Sequence, residues 1–217
     1  MTATSSGRRR GRPPKSDAGD TKELLLQAAL ALFADKGYEG TSVRDIARSV
    51  GLSESVLYAH FSSKRAIFDA VLARLGPLSA IAALNDIGDP DVDPPGFLRT
   101  LVAREMTEWS APAARQLISL MSHDNMLHSP ELREGIAATL GILAELFAGW
   151  MADGRVDPNL GSPGDLAYAL MAPVALTRVL WLHDGATRQE IDAAREQAAR
   201  HTELFIRAVF PAGPRRA

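Results

Sequence analysis

The chain has 217 residues, of which 46% are hydrophobic, 23% charged and 6% aromatic, and it contains no cysteine. That supplies enough apolar material for one or two well-cored domains, and it removes disulfide frameworks, thiolate zinc sites and cysteine nucleophiles in one step. A formal net charge of -2 conceals an asymmetry: residues 1–76 hold twelve Lys or Arg against eight Asp or Glu, and the remainder twelve against eighteen, so a basic amino-terminal third on an acidic body points toward an oriented contact with a polyanion.

Residues 1–19 carry Arg8, Arg9, Arg10, Arg12 and Lys15 with no apolar periodicity and read as a flexible basic arm. Asp20 is the expected cap of a first helix, with Glu23 reaching back and Leu25, Ala28, Ala29, Leu32 and Phe33 at helical spacing until Gly37. Thr41 or Ser42 caps a short helix bearing Val43, Ile46, Ala47 and Val50; Gly51 stops it, and Ser53 starts another through Leu57 and Tyr58. Ser62 or Ser63 begins a longer helix with Ile67, Phe68, Val71, Leu72 and Leu75 on one stripe, able to link two domains across a kink at Gly76-Pro77.

Asn85 to Gly96 reads as a loop, followed by a helix with Phe97, Leu101, Val102 and Trp109 and another after Pro112. Ser129-Pro130 caps a run of Leu132, Ile136, Leu140, Leu143, Phe147 and Trp150, the clearest amphipathic stripe in the chain. Ser162-Pro163 repeats that start, and Thr187 with Glu190 forms a capping box for a final helix ending near Phe210. No segment alternates with period two for long and no glycine-rich phosphate turn occurs, so the expected fold class is all-α. The longest apolar run, Leu166 to Leu176, is well short of a bilayer span, and the Arg-rich start lacks a signal-peptide core, so a cytoplasmic protein is expected.

The spacing within Val43–Phe61 has a geometric logic. Two steeply crossing helices need a small side chain where they touch, a residue tolerant of positive φ between them, and apolar anchors; Ala47, Gly51, and Ile46 with Leu57 fill those places. This spacing fits a DNA-reading helix-turn-helix and an ordinary helical hairpin alike. The fuller string Thr41-Ser42-Val43-Arg44-Asp45-Ile46-Ala47, Gly51-Leu52-Ser53, Leu57-Tyr58-Ala59-His60-Phe61 and Ser63-Lys64 strongly resembles the DNA-binding domain of the TetR family of bacterial transcription regulators, over roughly residues 20–76.

The resemblance implies a non-enzymatic, sequence-specific regulator: a helix-turn-helix domain over 20–76, a helical effector-binding and dimerisation domain over 77–217, and repression of a palindromic operator relieved by a small molecule. It further implies that Ser53, Glu54, Ser55 and His60 face bases, that Thr41, Ser42, Tyr58 and Lys64 grip phosphates, and that Arg44 does either. Many family members have Gly where this chain has Ser55, so the operator cannot be borrowed from relatives. Hydroxyls and N–H groups at helix N-termini suit phosphate oxygens independently of the resemblance. Arg10-Gly11-Arg12-Pro13 resembles an AT-hook core, and the arm reads either as a minor-groove contact or as a solvated tail.

Leu166–Leu176 is apolar on every helical face, and the last helix offers Ala194, Ala198 and Phe205. We expect a homodimer interface at Leu170, Val174, Trp181, Ala194, Ala198 and Phe205; the alternative is burial of both helices within a monomer. Trp109, Met121, Met126, Phe147, Trp150 and Met151 are the candidate lining of an effector pocket suited to an apolar molecule, or else plain core. His123, Asp124 and His128 do not share a helix face, His183 and His201 read as packing or surface residues, and no cofactor or metal is expected. The rival readings are an architectural AT-hook protein, a helical enzyme with dispersed catalytic residues, and an activator in place of a repressor.

Overall fold

The computed structural model describes residues 15–75, 87–123 and 128–210. Among these the regular structure is helical: α1 (Lys15–Gly40), α2 (Val43–Ser49), α3 (Glu54–His60), α4 (Lys64–Leu75), α5 (Pro94–Trp109), α6 (Pro112–His123), α7 (Pro130–Ala152), α8 (Pro163–Trp181) and α9 (Arg188–Val209), with one 3₁₀ turn at Pro158–Leu160. Most starts follow the caps legible in the sequence. Ser42, Ser162 and Thr187 each close a capping box with Asp45, Asp165 and Glu190, and Ser129 accepts from the Leu132 N–H at 3.2 Å. These hydrogen bonds hold the three box carboxyls below their ordinary range.

Helix α1 departs from expectation at its start. It begins at Lys15, so Asp20 lies inside the helix rather than capping it, and Lys15 belongs to α1 rather than to the arm. Once a nucleus exists, each further residue adds a backbone bond at little cost, so a polar candidate cap need not stop the helix. Gly37, at φ 75°, breaks α1 where the sequence placed its end. Arg8, Arg9, Arg10 and Arg12 lie outside the described residues, as does the expected kink at Gly76-Pro77.

Two cores result. The first joins Leu25, Ala29, Leu30 and Phe33 of α1 with Ile46, Ala47, Leu57, Phe61, Ile67, Phe68 and Val71, and its floor is Leu117, Leu120 and Met121 of α6. The amino-terminal core therefore extends past the boundary drawn at residue 76. A ring triangle of Phe33, Tyr38 and Phe68, with centroids 5.3–6.1 Å apart, fills it. The second core is formed by α5, α7, α8 and α9 around Leu98, Val102, Phe147, Trp150, Leu170, Val174 and Phe205.

Helix α7 is long and apolar enough over Leu132–Ala152 to cross a bilayer by length and composition alone. It nevertheless sends Leu143, Phe147 and Trp150 into the second core, while Ile136, expected on that stripe, is exposed. Helix α6 also reaches the far end of the body. Arg115 Nη1 donates to the carbonyls of His183, Asp184 and Ala186 at 3.1–3.3 Å, and Ser119 Oγ accepts from the Asp184 N–H at 3.0 Å.

Candidate nucleic-acid interface and effector core

Helices α2 and α3 form a helix-turn-helix. The turn closes through Gly51 at φ 71°, with Leu52 N–H returning to the Ala47 carbonyl at 2.9 Å, and Leu57 is the buried anchor of α3 against Ile46 and Ala47. Because a seven-residue helix buries one side chain, nearly all its others face outward. Glu54, Ser55, Val56, Tyr58 and Ala59 are exposed and His60 is half-buried at the last turn. Tyr58 is 51% exposed, while Phe61 three residues on is in the core, so the ring is presented rather than packed away.

The candidate phosphate contacts divide. Ser42 is exposed, but its hydroxyl is engaged with Asp45 Oδ2 at 2.6 Å, so an acid of the same chain already sits at the α2 N-terminus. Thr41 corrects the expectation: it is 1% exposed and donates to the Leu32 and Gly37 carbonyls at 3.0 and 2.9 Å, which makes it the inner latch of the α1–α2 corner and not a surface donor. Lys64 Nζ donates to the Tyr38 carbonyl at 2.8 Å and lies 4.2 Å from that ring's centroid, leaving it half-buried. Arg44 pairs with Glu54 at 3.4 Å across the two helices, both side chains remaining exposed, and Ser53 and Ser55 share a hydrogen bond at 2.8 Å.

The expected dimer residues are also corrected. Leu170, Val174, Ala194, Ala198 and Phe205 are buried within the subunit, where they form part of the second core. A helix advances about 100° per residue, so a stripe displaced by two residues from the Leu166, Leu170, Val174 row faces the other way. That outer side holds Tyr168, Leu176 and Val179, with Leu180 at its edge, all exposed; Trp181, seven residues beyond Val174, is exposed because the helix ends there, and Leu204 is exposed on neighbouring α9. Of the expected set only Trp181 is exposed, lining with Gln189, Ala193, Gln197 and Arg200 among others a groove of about 320 Å³. The all-round apolar character of α8 signalled two faces, and the reading from periodicity chose the inner one.

The candidate effector residues do not converge on one cavity. Met121 belongs to the amino-terminal core, Met126 lies outside the described residues, and Phe147 and Trp150 are fully enclosed in an edge-to-face stack at 5.2 Å. Trp109 and Met151 are partly buried against the second core. Two charged residues that periodicity passed over sit in this interior instead. Glu105 of α5, 4% exposed, is pushed up to about 7 by burial, with the Arg178 charge opposing; Arg178 of α8, 8% exposed, is lowered by burial to about 10 and so stays cationic at neutral pH. Their signal was available: each interrupts an apolar stripe, Glu105 in the Leu101–Trp109 row and Arg178 four residues beyond Val174.

Comparison with known proteins agrees with this architecture. The model of the tetR family of bacterial regulatory proteins matches residues 25–71. The biofilm operon icaADBC HTH-type negative transcriptional regulator IcaR of Staphylococcus aureus is 44% identical over 48 residues, which are 22% of this chain and 26% of that protein. The HTH-type transcriptional repressor KstR2 of Mycolicibacterium smegmatis is 44% identical over 57 residues, 26% of this chain and 28% of that protein. These matches span about a quarter of the curated relatives' own length.

Likeness over the whole fold comes from solved structures. Native NalD of Pseudomonas aeruginosa, the secondary repressor of the MexAB-OprM multidrug efflux pump, superposes with a TM-score of 0.66 at 26% identity, covering 91% of this chain and all of that one (100%). A tetR-family regulatory protein from Rhodococcus RHA1 gives 0.66 at 23% identity, over 88% of this chain and 98% of that one, and shows the shared fold. Over residues 25–71 the chain thus carries a DNA-binding domain of the tetR family of bacterial regulatory proteins, joined to a helical body whose architecture is similar to that of NalD.

Proposed function

We propose that this chain is a homodimeric, sequence-specific DNA-binding regulator, a repressor that leaves a palindromic operator when a small molecule binds its carboxy-terminal core. The observation that carries the reading is α3, a short helix anchored by Leu57 alone, with Glu54, Ser55 and Tyr58 outward and the Ser53 cap beside them. Such a helix fits the major groove, where base edges offer donors and acceptors to these side chains, and Val56 or Ala59 can meet a thymine methyl. Ser42 and Tyr58 flank it toward the backbone, with Lys64 placed to strengthen the α1–α4 corner. Arg44 contacts DNA on release from Glu54.

Two such helices on a two-fold axis read an inverted repeat. The second copy docks on the outer row of α8, where Tyr168, Leu176, Val179 and Leu180 would otherwise leave apolar area in water, with Leu204 of α9 alongside. Arg8, Arg9, Arg10 and Arg12 add charge that a neighbouring minor groove attracts. The test is selection of bound fragments from sheared genomic DNA, followed by footprinting with wild type and Tyr58→Ala. A short inverted repeat, lost in the variant, supports the regulator. Diffuse enrichment of A·T-rich fragments, unchanged in the variant, overturns it in favour of an architectural role of the basic arm.

A further inference from the structure

A buried cation with an unused donor is the least expected feature of the second core. Arg178 enters from α8, one face of its guanidinium covered by the Trp109 ring at 4.7 Å, and its Nε is buried without a hydrogen-bond partner. Glu105 of α5 is buried within reach of that charge, and the two are linked by charge attraction with no hydrogen bond closing the pair. An ion withdrawn from water is costly unless its donors are used. That nitrogen lies on one edge of a guanidinium fork, and such an edge matches a carboxylate bidentately. Ring coverage of one face directs an incoming group to the guanidinium plane, and Leu101 and Met106 on α5 and Val174 on α8, in or beside the stripes that the pair interrupts, belong to the apolar core.

We propose that Arg178, with Trp109 against its face and Glu105 opposite, is the anion-reading end of the effector site, so that the molecule sensed here is an organic carboxylate with an apolar body. This rests on the ligand-released reading above and narrows it by naming the ligand's chemical class. Glu105 acts as an internal competitor. When ionised it satisfies part of the Arg178 charge and repels an incoming carboxylate; when neutral it leaves Arg178 as a single buried cation and supplies an O–H donor.

The probe is octanoate, titrated calorimetrically into the full chain, with octanol as its neutral match. Expected results are saturable octanoate binding, octanol weaker by about tenfold or more, and an octanoate affinity reduced about tenfold or more in Arg178→Met, the range for a hydrogen bond to a charged group. Glu105→Gln is expected to tighten octanoate several-fold, and it keeps the proposal testable if Arg178→Met does not fold. No saturable octanoate binding, equal binding of octanol, or no gain in Glu105→Gln overturns the proposal. Gel-shift measurement on the selected operator separates the two readings. Octanoate held through Arg178 without DNA release supports the site and overturns ligand-released repression, whereas release that ignores Arg178 does the reverse.

Discussion

Helices α3 and α8 solve opposite problems with the same geometry. Each is fixed by an inward set, Leu57 alone in α3 and Leu166, Leu170 and Val174 in α8, and each turns a second set outward. On α3 the outward set is Glu54, Ser55 and Tyr58 with the small apolar Val56 and Ala59; on α8 it is Tyr168, Leu176, Val179, Leu180 and Trp181. Small polar groups lose little on leaving water for a groove lined with donors, acceptors and phosphates, whereas an apolar row gains only by meeting another apolar surface. The outer face, more than the helix that bears it, tells what kind of partner each surface awaits.

The largest effect is expected where that contrast is inverted. Converting Leu176 and Leu180 together to Asp places two unpaired charges in the proposed α8 contact, costing on the order of 5 kcal/mol of association. Sedimentation should show a folded monomer; a dimer surviving at micromolar concentration would remove α8 from the interface. Next, Leu57→Ala should cost about 3 kcal/mol of stability as a buried leucine truncation, measured by urea unfolding. Tyr58→Ala next to it should stay within about 0.5 kcal/mol in the same experiment while losing operator affinity. Similar stability losses for the two would erase the distinction between anchor and reading face.

Glu105 gives a pH-dependent comparison. The folded chain keeps its proton up to about 7, against an ordinary value of 4.5, so the native state binds more protons than the unfolded state in that interval. Stability contributed by this group is therefore greatest below the lower value, declines as pH rises through the interval, and levels off above the upper, for a total of up to about 3 kcal/mol. The difference between wild type and Glu105→Gln, followed by urea unfolding from pH 4.5 to 7.5, isolates it from the exposed capping carboxyls, whose stabilising effect runs in the opposite direction. A flat difference would show that Glu105 is ionised throughout. Smallest is Ser42→Ala, expected to cost about 1 kcal/mol as a lost N-cap, read as a lowered melting temperature.

Local rules carried the amino-terminal third well because its determinants are local. Ser42, Gly51, Ser53 and Leu57 are a cap, a positive-φ turn, a cap and an anchor, each recognisable from its neighbours. Thr41 was misread as a surface donor because its partners, the Leu32 and Gly37 carbonyls, come close only when α1 bends back on itself. The same holds further on. Period alone does not choose between the two faces of α8, since both are apolar, and only the packing of α6 under the first core distinguishes Met121 from pocket lining. Arg178 and Glu105 were passed over because each is a charge within an apolar stripe, and only the facing helix tells whether such a charge is buried.

Arg115 has a consequence for how the chain comes apart. Helix α6 places Leu117, Leu120 and Met121 in one core while Arg115 and Ser119 clasp the turn between α8 and α9. Neither half can melt without stripping α6 of contacts it shares with the other, so the two cores are coupled as one cooperative unit despite their separate interiors. Calorimetry should show a single endotherm, and freeing the clasp through Arg115→Ala should split it. A protein built this way resists partial opening. Proteases and chaperones would meet it as either wholly folded or wholly unfolded, with little in between.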